Sequence, residues 1–393
     1  MENKVKVIQP AYVKNFKCDG QRCGAKCCRG WRIDIDAKTF KKYEKIESAE
    51  KELTSHINFV EDKKLYCTNL DANLDCPFLT KENLCIIQKE HGENFLSFVC
   101  KTYPRNILNI DNFFECSLNL TCPLAAELAL TSDDAIILET CEVPVSQESP
   151  PTKKIPANVK PYFYLIQVTS MIILKKRNLT IDQRLAGLGI FWRDIDELIK
   201  SDKLNEIEPL AKKYMSPKFF EEYGAGIFAD INFNHQKFLD GMIDGVLKNM
   251  YTETLYTKWK NFFMPTTDDG ENISLETAQI NFSAWERMRA EFLAKVDTIL
   301  SNYIANEIFY HIYPYRVEGS FAKNFAVLVA AYKIVEMELF TINLKKVELR
   351  NVINSISDIS RRLDNNKDYL KKLLSVVEGE EDITKIISTF LPI

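Results

Sequence analysis

The chain has 393 residues, a formal net charge of −4, 46% hydrophobic residues and 27% charged residues. This composition excludes a disordered or collagen-like protein, and the small net charge gives no reason to expect nucleic acid as a partner. The apolar runs are far shorter than the roughly 20 residues that a membrane helix needs, and the first residues lack a signal-peptide pattern. We therefore expect a cytoplasmic protein that is not inserted in a membrane.

The first predicted element is a compact cysteine-rich segment, Cys18-x4-Cys23-x3-Cys27-Cys28. Short gaps between cysteines allow a turn to aim several sulfur atoms at one metal ion or cluster. All 11 cysteines lie in the first 141 residues, and in a cytoplasmic protein thiols indicate metal ligands or redox groups before disulfides. The basic side chains interleaved with this segment are expected to lower the thiol pKa values and to balance thiolate charge; they are Lys17, Arg22, Lys26 and Arg29.

Four later cysteines lie beside prolines or in short turn-like contexts that fix the local backbone, as is common around Fe–S ligands. Together with the first segment they give eight predicted metal ligands: Cys18, Cys23, Cys27, Cys28, Cys76, Cys85, Cys100 and Cys122. The remaining cysteines, Cys67, Cys116 and Cys141, are interpreted as bystanders. The alternative for many of the thiols is a role as small, buried hydrophobic groups.

Sulfur donors favour zinc or an Fe–S cluster. No histidine stands at ligand spacing from another, which argues against a Cys2His2 site, and the Cys-x2-Cys knuckles of zinc ribbons are missing from the sequence. The adjacent pair Cys27-Cys28 is awkward for one tetrahedral zinc ion. The pattern therefore favours Fe–S, with zinc as the alternative.

A proline-rich stretch over residues 143–161 predicts a linker between a cysteine-rich domain, 1–142, and a helical domain, 162–393. The Trp31–Asp36 alternation is the clearest strand signal. Two capping boxes, Thr180-x-x-Gln183 and Ser283-x-x-Glu286, predict helix starts. Helices are predicted over 162–177, 180–200, 283 to before Pro314, 321–340, 345–363 and 382–390. The expected fold class is mainly α, with the cysteine-rich metal-binding unit packed on the helical unit.

The run Gly224-Ala-Gly226-Ile-Phe-Ala229 fits the glycine pattern of a dinucleotide-binding loop on paper. The residues before it predict a helix, whereas such a loop requires a preceding strand. We interpret the glycines as a helix stop with a left-handed turn, and we expect no Rossmann-type nucleotide site.

Several motifs resemble the flagellin lysine-N-methylase (FliB) family over most of the chain. They are Pro10-Ala-Tyr-Val13, the first cysteine segment with Gly30-Trp31, Cys76-Pro-Phe-Leu79, Leu84-Cys85, Gly92, Leu96-Ser97, Cys100-x2-Tyr103-Pro104-Arg105, Leu120-Thr-Cys122-Pro123-x-Ala125-Ala126, Asn302-Tyr303, Asn306, Phe309 and Tyr313-Pro314. The resemblance implies methylation of lysines on flagellin, S-adenosylmethionine as methyl donor, and a [4Fe–4S] cluster in the cysteine-rich domain. One departure is Leu124, where the family pattern favours glutamate.

Methyl transfer to lysine needs groups that orient the amine and accept from it, because an unperturbed lysine has a pKa near 10.4. The candidate catalytic residues are Tyr103, Asn302, Tyr303 and Tyr313. Arg105 and Trp31 are the predicted donor contacts, with neutralisation of the cluster as the alternative for Arg105. Two other functions stay open: a non-catalytic zinc- or iron-binding adaptor, and a redox or iron-handling protein.

Overall fold

The computed structural model describes residues 3–46, 52–111, 113–133, 137–145, 151–229, 231–248, 253–263, 275–343, 348–364, 368–376 and 379–393. Two compact units make up the chain. The first comprises Met1–Leu128 and Leu138–Lys153, and the second comprises Ala129–Ile137 and Lys154–Ile393. The change of unit after Lys153 falls within the predicted linker, of which residues 146–150 lie outside the described part.

The described chain is mainly helical, as the sequence predicts. The α-helices are α1 Gly20–Cys23, α2 Ala37–Tyr43, α3 Ile86–His91, α4 Phe98–Thr102, α5 Pro123–Thr131, α6 Phe163–Leu174, α7 Ile181–Lys200, α8 Ile207–Met215, α9 Phe219–Phe228, α10 His235–Phe238, α11 Glu253–Phe263, α12 Leu275–Tyr310, α13 Phe321–Asn343, α14 Leu349–Asp364, α15 Tyr369–Val376 and α16 Ile383–Phe390. A π-helix, Leu239–Leu247, continues α10. Within the described residues, no helix combines the length and the apolar character needed to span a membrane.

The first unit contains two sheets. Their strands are β1 Asn3–Pro10, β2 Asp34–Ile35, β3 Ile57–Val60, β4 Leu65–Thr68, β5 Arg105–Ile110, β6 Phe113–Leu118, β7 Leu138–Val145 and β8 Thr152–Lys153. The larger sheet has the order β7-β1-β6-β5-β8, and the smaller has the order β2-β4-β3. Strand β1 runs antiparallel to β7 and parallel to β6.

The sequence did not predict the larger sheet, and burial explains why. Strand β6 lies at its centre, and Glu115, Cys116, Ser117 and Leu118 are all nearly inaccessible to solvent. A strand that is buried on both faces shows no alternation of polar and apolar residues. Pro144 lies within β7, where an edge strand tolerates the missing N–H donor. The predicted Trp31–Asp36 strand is confirmed in part as β2.

Most helix predictions in the second unit are confirmed, and both hydrogen bonds of the capping box at Thr180 are present. Thr180 Oγ1 accepts from the Gln183 N–H at 3.2 Å, and Gln183 Oε1 accepts from the Thr180 N–H at 3.0 Å. The predicted start at Ser283 is wrong, because α12 already begins at Leu275. Phe282 is buried against Phe263 with 4.4 Å between ring centroids, so tertiary packing extends the helix beyond the local signal.

Two further predictions concern residues at helix boundaries. Gly224 and Gly226 lie inside α9, so the interpretation of a helix stop with a left-handed glycine is wrong. This position in a helix also rules out a dinucleotide-binding loop there. The predicted helix over 345–363 is present as α14, and its first residues, 345–347, lie outside the described residues.

A buried network of four charges connects α7, α12 and α13. The guanidinium of Arg289 pairs with Asp182 and Glu336, and the ammonium group of Lys333 lies 3.1 Å from Asp182 and 2.9 Å from Glu336. All four side chains are at most 6% exposed. Burial alone would raise the Glu336 pKa, but Arg289 and Lys333 outweigh it and hold that pKa at about 2. The network therefore fixes three helices around one neutral cluster of charges.

Candidate functional site

The first cysteine segment folds through two short helical turns. The carboxylate of Asp19 caps α1 by accepting from the Arg22 N–H at 3.1 Å. The chain then passes through Gly24 and Ala25, both with left-handed backbone angles, before a 3-10 turn over Lys26–Cys28. Two successive left-handed residues reverse the chain direction sharply, and glycine adopts this conformation at little cost. The reversal folds the four cysteines into one compact segment.

A second cysteine-bearing segment is tied to the first by backbone and side-chain bonds. The Cys76 N–H donates to the Cys28 carbonyl at 2.7 Å, and Arg29 binds both Asp75 and the side chain of Asn83. The two segments approach so closely at Gly20 that a Cβ there would lie 2.6 Å from the Asn83 carbonyl oxygen. These contacts bring Cys76 and Cys85 to the first group of thiols.

The eight predicted ligands lie close enough to influence one another electrostatically, with Cys27 at the centre. The Cys27 and Cys28 sulfur atoms are 3.9 Å apart. Cys27 also interacts with five of the other predicted ligands, Cys18, Cys23, Cys85, Cys100 and Cys122. Cys76 enters the same group through Cys28 and Cys100. All eight thiols thus belong to one neighbourhood in the first unit.

The three predicted bystanders have other partners. The Cys67 thiol donates to the Asp34 carboxylate at 3.2 Å. Cys116 and Cys141 interact with each other and with Arg105. None of these partners is one of the eight predicted ligands, and the division into ligands and bystanders stays a prediction.

The expected lowering of thiol pKa values by basic side chains is wrong. Burial is the largest cause of a shift at Cys18 and Cys100, where it raises the thiol pKa to about 11 and about 12, and neighbouring cysteines add to it. The arginines of the segment bind carboxylates instead: Arg22 binds Glu127 and Arg29 binds Asp75. At Cys18 and Cys100 the raised pKa favours the protonated thiol near neutral pH, so these sulfur atoms would have to lose a proton before they could bind a metal.

The donor set suits a soft metal, because all 11 cysteines are free thiols and eight of them cluster. The described residues nevertheless include no group of three or more histidine, cysteine or acidic side chains arranged to hold one ion. The thiols of the first unit are therefore donors of the type that a soft metal prefers, but among the described residues they do not converge on one position. The ligand set stays a prediction.

Trp31 and Tyr103 form an aromatic pair beside this thiol group, with ring centroids 6.2 Å apart. The Trp31 indole N–H donates to the Cys27 carbonyl, yet 39% of the residue remains exposed. The Tyr103 hydroxyl is 2.8 Å from Thr121 Oγ1. Both predicted site residues are thus held next to the cysteines by specific bonds.

Arg105, the other predicted donor contact, lies on β5. Its guanidinium donates to the Phe16 carbonyl at 3.2 Å and lies 5.2 Å from the centre of the Phe16 ring. Burial raises the thiol pKa of Cys116 and Cys141, and Arg105 acts in the opposite direction at both. Its role as a donor contact stays a prediction.

Asn302 is completely buried in the second unit. Its amide nitrogen donates to the carbonyls of Leu130 and Ser132, both at 2.9 Å, and its oxygen accepts from Lys175 at 2.7 Å. The side chain therefore joins α12 to two other segments. Its predicted catalytic role stays a prediction, and the contacts show a structural one.

Tyr303 and Tyr313 lie near a buried acid that the sequence analysis missed, Glu307. Tyr303, Glu307 and Arg316 line a cavity of about 10 Å³, the size of one water molecule. The Arg316 guanidinium donates to the Tyr313 hydroxyl at 3.0 Å and lies 3.7 Å from Glu307. Glu307 sits on α12 one turn after Tyr303, and the available sequence signal is an acid on the same helical face as the buried Tyr303 and Ile304.

The Glu307 carboxyl predicts a pH-dependent stability. Burial raises its pKa from 4.5 to about 8, although Arg316 acts in the opposite direction. The folded protein therefore holds this proton more tightly than the unfolded chain, so Glu307 contributes stability below pH 4.5 that is lost as the pH rises through 8. We expect the free energy of unfolding to fall across that window by a few kcal/mol at most. Urea titrations at several pH values measure this change. In Glu307→Gln the free energy of unfolding should vary less with pH over the same window.

The family model described as the FliB lysine N-methylase C-terminal domain matches residues 167–390, which is more than half of the chain. The chain belongs to the FliB lysine N-methylase family. This match confirms the resemblance seen in the sequence motifs. It lies in the helical unit, whereas the motifs were densest around the cysteines.

Three curated relatives agree with this family. The chain is 33% identical to the flagellar biosynthetic protein FliU of Salmonella muenchen over 140 residues, 34% of this chain and 83% of that protein. It is 33% identical over 144 residues to a lysine-N-methylase of Salmonella typhimurium and 32% identical over 140 residues to one of Salmonella choleraesuis. Each of the latter matches covers 34% of this chain but only 35% of the relative. No solved structure gives a significant match.

Proposed function

We propose that this protein is a protein-lysine N-methyltransferase that acts on flagellin, takes its methyl group from S-adenosylmethionine and holds a [4Fe–4S] cluster in its cysteine-rich unit. The observation that carries the proposal is the family match over residues 167–390. The relatives named lysine-N-methylase support a reaction at lysine, and the name of FliU supports a flagellar substrate. The clustered thiols around Cys27 support the metal.

The proposed reaction is a direct displacement. The lone pair of the lysine nitrogen forms the new N–C bond while the bond between sulfur and the methyl carbon breaks, and sulfur keeps that electron pair. The products are a methylated amine and S-adenosylhomocysteine, and the proton of the amine passes to water. The protein must hold the nitrogen and the methyl group close and in line, because orientation supplies a large part of such rate enhancements.

The first unit offers groups that suit the lysine side chain. A cation is attracted to the exposed face of an indole ring, and Trp31 presents such a face beside the thiols. The hydroxyl of Tyr103, held by Thr121, is a hydrogen-bond acceptor next to that ring. We assign to Tyr103 the orientation of the amine, and roles for Tyr303 and Tyr313 in the second unit remain predictions.

The eight clustered cysteines would hold the Fe–S cluster, and four ligands are needed. When bound, a [4Fe–4S] cluster supplies Lewis-acidic iron and a covalent link between the two cysteine-bearing segments. Cys27, Cys28 and Cys85 are the leading candidates, because the Cys27 and Cys28 sulfur atoms lie 3.9 Å apart and both cysteines interact electrostatically with Cys85 of the second segment. No step of methyl transfer is assigned to the iron.

One assay tests this function directly. Purified flagellin and S-adenosylmethionine with a labelled methyl group are incubated with the protein, and the label is located by mass spectrometry. We expect methylated lysines on flagellin and formation of S-adenosylhomocysteine. A protein that binds metal but transfers no methyl group under these conditions would instead be the non-catalytic adaptor.

A further inference from the structure

The turn over residues 71–75, just before Cys76, exposes a leucine to solvent. Leu74 is 59% exposed, the highest fraction among the large apolar residues that are exposed in the described chain. Its φ angle is +63°, in the left-handed region that a residue with a bulky side chain rarely adopts. Asparagine or glycine would fit this position with less strain. Backbone strain of this kind occurs preferentially at functional sites, and here it accompanies apolar surface that the protein does not bury.

Hydrogen bonds between its two ends hold this turn in one conformation. One carboxylate oxygen of Asp71 accepts from the N–H groups of Asn73 and Asp75, both at 2.8 Å. The Leu74 N–H donates to the Asp71 carbonyl at 3.0 Å, and the Asp71 N–H donates to the Asp75 carbonyl at 2.9 Å. Four bonds within five residues over-determine the backbone, so the strained conformation of Leu74 is maintained. The leucine is therefore presented to solvent on a fixed support.

The same turn is bound to the residues that immediately precede Trp31. The Gly30 N–H donates to the Leu74 carbonyl at 2.8 Å, and Arg29 pairs with Asp75 through a salt bridge and an isolated β-bridge. Standard bond lengths then limit the distance between the Cα atoms of Leu74 and Trp31 to about 11 Å. An extended chain covers that distance in about three residues. Trp31 is itself 39% exposed, so two large apolar residues are open to solvent close to each other.

The exposed charged residues beside this pair indicate the class of partner. Asp71 is exposed in the turn, and Arg32 is exposed next to Trp31. Because their charges are opposite, these two residues favour neither an anionic lipid nor a nucleic acid. Exposed apolar side chains with polar neighbours are typical of a contact site for another protein. Trp31 already belongs to the site to which we assign the lysine side chain, so the protein that fits this surface is the one that carries the lysine.

We propose that Leu74 and Trp31 form a docking surface for flagellin, on which Leu74 contacts an apolar side chain within about three positions of the methylated lysine. This inference rests on the proposed function and adds a sequence requirement to it. Trp31 and Tyr103 act on the lysine itself, whereas Leu74 selects a neighbour of that lysine in the substrate chain. Because the turn already fixes the leucine, little conformational entropy is lost when the substrate binds.

Steady-state kinetics of the full chain with flagellin test this surface through Leu74→Asn. Asparagine tolerates a left-handed backbone, so the melting temperature should rise by about 2 °C while the KM for flagellin rises by about fivefold to tenfold. The preference for flagellin over Nα-acetyl-lysine amide, which has no neighbouring residues, should fall by the same factor. Leu74→Met keeps an apolar side chain and should have a KM near that of the wild type. The matched control is Leu349→Asn, which replaces a leucine of 53% exposure in the other unit and should leave the KM unchanged.

The outcomes separate this inference from the proposed function. If Leu74→Asn methylates flagellin with the KM of the wild type, the docking surface is wrong and the function stands. If its melting temperature falls and its activity on both substrates drops equally, Leu74 is a structural residue, which also overturns the inference. Biolayer interferometry with immobilised flagellin and no S-adenosylmethionine measures docking without turnover. Weaker binding of Leu74→Asn, with no methyl transfer by the wild type, would support the surface and refute the function. A wild type that neither binds nor methylates flagellin would refute both.

Discussion

Cys27→Ser is expected to remove most of the iron and sulfide that the purified protein binds. Cys27 interacts electrostatically with six of the other seven predicted ligands, and its sulfur atom lies 3.9 Å from that of Cys28. Serine keeps the size of the side chain but is a poor ligand for a soft metal. Iron and acid-labile sulfide assays after anaerobic purification, together with the visible absorption spectrum, measure the loss.

The matched control for this experiment is Cys67→Ser. Cys67 is also buried in the first unit, but its thiol donates to Asp34, and Cys67 is not one of the eight predicted ligands. Its replacement should leave the metal content unchanged. Equal iron content in Cys27→Ser and wild type would show that the clustered thiols are not the ligands. A colourless wild-type protein with stoichiometric zinc would replace the Fe–S proposal by the zinc alternative.

The sequence predicts which cysteines of one short segment lie near one another, because turns and prolines restrict the path of the backbone. Cys18 to Cys28 are close in the chain, and a left-handed turn at Gly24 suffices to fold them together. Sequence spacing could not predict that the segment with Cys76 and Cys85 packs against the first cysteine segment. This packing depends on Arg29 binding Asp75 and Asn83, contacts between residues about 50 positions apart.

The buried charge network shows that sequence patterns also fail to predict which helices pack together. Helical periodicity places Arg289 and Lys333 on faces of their helices, but it cannot say which partner each face meets. One signal was available: Lys333 and Glu336 form a pair within the apolar run of α13, where charges are rarely buried unless they are paired. A cleft lined in part by Asp182 and Arg289 could not be predicted for the same reason. Its walls come from α12 and from the start of α7, which are far apart in the sequence.

Arg289→Met is expected to destabilise the helical unit by about 3–5 kcal/mol, which lowers its melting temperature by roughly 10 °C. Arg289 and Lys333 balance the charges of Asp182 and Glu336 in the network. Removal of one cation leaves an uncompensated negative charge among side chains that are at most 6% exposed, and this cost exceeds the value of the lost contacts. Differential scanning calorimetry of the full chain measures the change.

Two further variants separate the effect of charge from that of packing. Arg193→Met disrupts an exposed ion pair and should cost less than about 1 kcal/mol. The double variant Arg289→Met/Glu336→Met removes one charge of each sign and leaves Lys333 beside Asp182 at 3.1 Å. Because the buried charges are again balanced, it should be more stable than Arg289→Met alone. If the double variant is the less stable one, packing outweighs charge at this site, and the network does not fix α7, α12 and α13 by electrostatics.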